Sequence, residues 1–186
     1  MATSMAAVRT VRSVTAVALG FSLLGGCIMS DTEKGLCPSA AVLAPTASVT
    51  VFRANAPADP SGELYTLWMT NVAAECDFEK EEKNTNSHLD VSFHAARAPS
   101  TEAANYRVPY YVAVTQGGSR ILTKKFFLAD VSFQPGETTV DFHQTVDDIA
   151  LKPGKGLKIG SYLILAGIQL TQAQLDYNKK TSRFAP

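Results

Sequence analysis

Few residues in this chain have the types and spacing that chemistry demands. Histidines stand at 88, 94 and 143, and two adjacent carboxylates at Asp147 and Asp148. Neighbouring strands could bring two of these histidines together as metal ligands or as a base. A site would also need a third ligand, or a nucleophile with its own orienting group. The chain holds no His-x-His, His-Glu-x-x-His or Gly-x-Ser-x-Gly, the spacings that supply such partners. Two carboxylates fall far short of the six or more oxygens of a calcium site. Gly154 and Gly156 share a loop with no helical pattern after it, so they build no phosphate cradle. The expectation is three solvent-facing histidines, no catalytic residue, no metal and no cofactor. Two other groups could bind rather than react. The run Glu79-Lys80-Glu81-Glu82-Lys83 reads as a solvated loop, with a docking loop as the alternative. Tyr106, Tyr110, Tyr111, Phe126 and Phe127 read as core and sheet cover. The alternative is a partner surface made by Tyr111 and Phe126 on outward faces.

The elements that would hold these residues are strands. From Ala47 onward, apolar residues recur at every second position between turn signals. Strands are expected at 48–53, 63–72 (running on to Cys76), 89–95, 106–115, 120–133, 138–146 and 162–170. In 89–95 the residues Leu89, Val91, Phe93 and Ala95 point one way and Asp90, Ser92 and His94 the other. In 138–146 Val140, Phe142 and Val146 oppose Asp141, His143 and Thr145. The only Trp, Trp68, faces away from Tyr65, Leu67 and Met69. Residues 77–87, charged and Asn-rich, read as an exposed loop. Pro109 lacks an N–H, which predicts an edge strand or a bulge for 106–115. The apolar phase shifts near Lys124-Lys125, which predicts a bulge or a strand serving two sheets. Gly117-Gly118 suits a two-residue primed hairpin turn, and Gln134-Pro135-Gly136-Glu137 a type II turn. Stretch 162–170 is continuously apolar, as in a central strand covered on both faces. Thr171-Gln172-Ala173-Gln174 matches a capping box and opens a short helix, with Lys179 and Lys180 at its negative end. Seven short strands with tight turns predict a single antiparallel β-sandwich, immunoglobulin- or fibronectin-III-like, with a short C-terminal helix. A small β-barrel is the second choice.

Composition narrows the partners. Seventeen Lys and Arg balance seventeen Asp and Glu over 186 residues, and 46% of residues are apolar. That is a globular composition, with no basic footprint for nucleic acid. Of the basic residues, only Arg9 and Arg12 fall in residues 1–26, where none is acidic.

Those two arginines precede an apolar stretch, 14–24, that ends in Leu24-Gly25-Gly26-Cys27. The stretch is too short for a bilayer-spanning helix, which needs about 20 residues. The ending resembles the lipobox of bacterial lipoproteins. The resemblance implies cleavage between Gly26 and Cys27 and diacylglycerol on the Cys27 sulfur. Two or more acyl chains hold a protein firmly to a membrane. Ile28, rather than Asp, after that cysteine implies the outer membrane, facing the periplasm. The alternatives are an ordinary signal peptide with an incidental Cys, or a short anchor helix. Segments 36–38, 108–114 and 167–171 are similar to those of small lipoproteins of alphaproteobacteria, which implies a cell-envelope setting and gives no activity.

The same resemblance places Cys37 and Cys76 in an oxidising compartment, where two remaining thiols usually pair. A Cys37–Cys76 disulfide is therefore expected, with a redox pair or metal site as the alternative. The expected organisation is a signal peptide at 1–26, a lipidated tether at 27–36, a sandwich domain at 37–180 and a flexible tail at 181–186. The expected function is a non-enzymatic, lipid-anchored envelope protein, a structural, assembly or accessory protein-binding factor. The alternative is a periplasmic binder of a small apolar or lipid ligand. Its partners would be the membrane, through the N-terminal lipid, and other envelope proteins, but no nucleic acid.

Overall fold

A computed structural model describes residues 37–79 and 84–183 of the protein. Cys27 and the segment 80–83 lie outside them. Eight strands and one helix follow in order: β1 (Ser39–Val42), β2 (Ser48–Phe52), β3 (Glu63–Glu79), β4 (Asn84–Arg97), β5 (Ala104–Gln116), β6 (Arg120–Phe133), β7 (Thr139–Leu151), β8 (Tyr162–Ile168) and α1 (Gln172–Thr181). They form two four-stranded sheets, β1-β8-β5-β6 and β2-β3-β4-β7. The molecule is the all-β sandwich expected, with its short C-terminal helix.

Alternation explains the core. The inward residues Leu67, Leu89, Val91 and Phe93 of one sheet meet Val108, Tyr110, Val114, Val131 and Ile164 of the other, all of them buried. Aromatic rings bridge the layers. Phe93 meets Tyr110 edge-on at 5.4 Å, and Tyr65 stacks on Tyr106 at 4.1 Å. Burial of such side chains contributes roughly 1.5–3 kcal/mol each.

Several local expectations hold. Gly117 and Gly118 both have positive φ, 61° and 75°, and Gly136 has φ 84° after Pro135. The first turn, however, spans three residues, because the ladder closes on Gln116 opposite Arg120. Thr171 and Gln174 form the full capping box at the start of α1.

Other expectations need correction. The described residues of the charged stretch 77–87, 77–79 and 84–87, are strand. β3 and β4 pair from Tyr65 opposite Arg97 out to Glu79 opposite Asn84. Thr85 and Ser87 are buried at inward positions. Small polar residues there hid the alternation. β1 was not expected at all; it is four residues long and pairs in parallel with β8. β5 is a central strand despite Pro109. The β8 ladder stops at Ile168 opposite Tyr110, so the missing N–H of Pro109 faces a side where no strand needs it. The Pro109 C=O on that side accepts from the Gln169 N–H at 2.8 Å. β6 stays in one sheet, and its bulge falls at Leu122, where the pairing steps from Thr123 to Ile121. β7 runs past Val146 through a second bulge, with Asp148 at φ 59°. Finally, the chain is still held at Arg183. Its guanidinium pairs with Glu63 at 2.6 Å and its carbonyl accepts from the Ser48 hydroxyl. The tail expected from 181 is thus tied down through 183.

Candidate functional site

The histidines lie on the outer face of the second sheet, as the alternation requires. His94 sits opposite Asp141 across β4 and β7, with Nδ1 2.8 Å from Oδ1. Its ring lies 5.6 Å from that of Trp68. His88 meets Asp147 at 2.8 Å in the same way, beside the β7 bulge. That hydrogen bond raises the His88 pKa above its ordinary value, and the charges of Asp147, Asp77 and Asp148 push the same way. His143 is exposed. Each pair is a histidine with one carboxylate, and neither adds a nucleophile. Among the described residues no three His, Cys, Asp or Glu gather as metal ligands. Two buried phenols, Tyr65 and Tyr110, are pushed up to about 12 by burial, with the Tyr106 charge adding at Tyr65. They stay protonated at any ordinary pH.

Cys37 and Cys76 are joined by a disulfide with Cα atoms 5.9 Å apart. Cys37 enters β1 of one sheet and Cys76 sits on β3 of the other, so the bond staples the two layers.

The alternative reading set Tyr111 and Phe126 together on an outward partner surface. They are opposite each other on β5 and β6. Tyr111, however, is buried. Lys124 Nζ covers its ring at 4.0 Å, and its hydroxyl meets Thr46 Oγ1 at 3.0 Å. Residues 44–46, crossing from β1 to β2, supply that cover. Phe126 remains 61% exposed, and Ile121, Leu122 and Leu128 on the same strand are exposed with it.

β6 is also an edge of its sheet, and β7 is the adjacent edge of the other. At one point the edges touch, where Gln144 Nε2 donates to the Leu128 C=O at 3.2 Å. Beyond it a groove of about 330 Å3 opens between them, lined by Val112, Val114, Phe127, Val146, Ile149 and Lys125 among others. Asp148 also lines it. Sequence reading missed Lys125 and Gln144. Both occupy inward positions, opposite Val112 and Val91. A polar letter at an apolar phase was the available signal. Comparison with protein-family models, curated proteins and solved structures finds no match for this chain.

Proposed function

We propose that the chain is a non-enzymatic, lipid-anchored protein of the bacterial cell envelope that docks a protein partner along the edge strand β6. The Arg9, Arg12 and Leu24-Gly25-Gly26-Cys27 pattern supports the anchor and the envelope setting, with the outer membrane favoured by Ile28. One observation carries the docking. Of six large apolar side chains exposed among the described residues, four (Ile121, Leu122, Phe126 and Leu128) lie on β6. An edge strand that also presents apolar side chains offers a partner both backbone hydrogen bonds and buried area.

A photo-crosslinking side chain placed at Phe126 in the acylated protein, in intact membranes, tests this. Position 143, on the polar edge β7, is the control. Protein adducts from 126 and not from 143 are expected. Equal yields from both positions, or none from 126, would overturn the reading.

The groove favours a second reading, a binder of a small apolar or lipid ligand. Its volume is at the lower end of those that hold small molecules, and Lys125 and Asp148 add an amine and a carboxylate to walls that are otherwise largely apolar. Lipid extraction of the purified protein is the check. A co-purifying acyl compound, lost on Thr123→Trp at the exposed wall of the groove, would support it, and its absence from the parent protein would sink it.

A further inference from the structure

We propose that the partner of β6 is a second copy of this chain, its own β6 pairing antiparallel about a two-fold axis at Phe127. This rests on β6 being a docking edge and names what docks there.

The backbone is in phase for it. The Leu128 C=O accepts from Gln144 on β7 and therefore points away from β5. In an antiparallel strand the N–H and C=O of one residue point to the same side, and the side alternates along the chain. Lys124, Phe126, Leu128 and Asp130 thus direct their backbone groups to the open edge. A two-fold at Phe127 sets Phe126 opposite Leu128 of the second copy, and Lys124 opposite its Asp130, so that open groups meet open groups. The Leu128 oxygen keeps a second lone pair beside its bond to Gln144.

The side chains match in the same register. On the outward face the rungs read Lys124 with Asp130, Phe126 with Leu128, and the two reciprocal pairs. Two apolar rungs are flanked by two opposite-charge rungs, and each such pair favours antiparallel strands. The charges are placed for it. Lys124 lies over the Tyr111 and Phe126 rings, 4.0 and 5.0 Å from their centres, and donates to Gln169 Oε1 at 3.4 Å; among the described residues it pairs with no carboxylate. Asp130 gives only Oδ1 to Arg107, at 3.0 Å, and its side chain is 61% exposed. Sliding the register two residues either way sets Asp130 against Leu122 or Phe126 and Lys124 against Leu128 or Ser132. Larger slides in one direction run into the bulge at Leu122, where the phase breaks. The product would be one continuous sheet across two copies, an isologous dimer that consumes both edges.

Zero-length carbodiimide coupling of the acylated full chain in membranes tests the register. Along a strand, Lys124 and Asp130 of one chain are about 20 Å apart, so a Lys124–Asp130 amide can form only between copies. A dimer band containing that linked peptide is expected. Differently tagged copies, co-expressed and co-purified, test the charges. Lys124→Asp and Asp130→Lys should each weaken self-association about tenfold. Lys124→Asp mixed with Asp130→Lys should recover it, because both charged rungs then pair opposite signs. That recovery also shows both variants are folded. No dimer, a dimer linked through other residues, or failure of the mixture would overturn self-pairing. If a probe at Phe126 then captures a different protein, the docking edge survives without self-pairing; if it captures nothing, both fall.

Discussion

On one flank of the sandwich the strands are short and tied down; on the other they are long and stand free. The first flank holds β1, four residues, and β2, five residues. The disulfide fastens the start of β1, and residues 44–46 cross above Gly167. Helix α1 lies over β2, with Asn178 Nδ2 donating to the Ser48 C=O at 2.7 Å and Tyr177 edge-on to Phe52 at 5.1 Å. Arg183 completes the cover. The second flank holds β6 and β7, fourteen and thirteen residues long. β7 blunts its edge with polar outward residues, Asp141, His143, Thr145 and Asp147. β6 carries Ile121, Phe126 and Leu128 instead. Edge strands are ordinarily shortened, covered or charged to prevent unwanted pairing. Here three of four edges are handled in those ways; β6 carries Lys124, Lys125 and Asp130 but also keeps four large apolar side chains exposed, and that difference supports the docking proposed for it.

This contrast can be broken at several points. Replacing both Cys37 and Cys76 with Ser should cost most, because the bond closes a loop across a sequence separation of 39. The chain-entropy argument gives about 4 kcal/mol, readable as a lower urea midpoint. If the loss is under about 1 kcal/mol, the tied flank does not depend on its staple. Gly167→Ala comes next. Its methyl would run into the Thr46 and Tyr111 hydroxyls under the crossing segment, an overpacking worth about 2 kcal/mol. Unchanged melting would show that the crossing segment is not pressed onto β8. The double change Phe126→Thr and Leu128→Thr should alter stability by no more than about 0.5 kcal/mol, since both side chains are half or more exposed. Its effect should appear in binding alone, and a large drop in melting temperature would mean that β6 is structural rather than adhesive.

The smallest effect belongs to β7. NMR titration should place His88 above the ordinary histidine pKa, and Asp147→Asn should bring it back down, because the Asp147 hydrogen bond is the first cause of the rise. A raised folded value means the pair's contribution is present below the ordinary pKa and fades as pH climbs through the folded one. A His88 that titrates identically in both proteins would remove the pair.

The clean alternators were legible. Residues 89–95 and 138–146 put Phe93 and Phe142 inside and His94 and His143 outside, because a side-chain period of two fixes the face without help from neighbours. The cap at Thr171 was legible for the same reason, since its partner Gln174 lies three residues away. β1 was not, because four small residues carry no period. The strand residues of 77–87 are hidden from sequence reading because the buried positions on its β4 side are Thr85 and Ser87, whose burial depends on the long β3–β4 pairing. Tyr111 looked outward, and does point outward, but its cover comes from Thr46, 65 residues earlier.

The sequence by itself therefore determined which residues alternate and where the chain turns, while the expectation that Cys37 and Cys76 would join came from the lipobox resemblance at Cys27. Alternation and turns depend on neighbours within a few positions. Only the tertiary structure decided which strands became edges, which outward face received a lid, and where Lys125 and Gln144 ended up. Those outcomes depend on the order of strands across the two sheets, and pairing between distant segments is set by the packing of the whole core rather than by any local pattern.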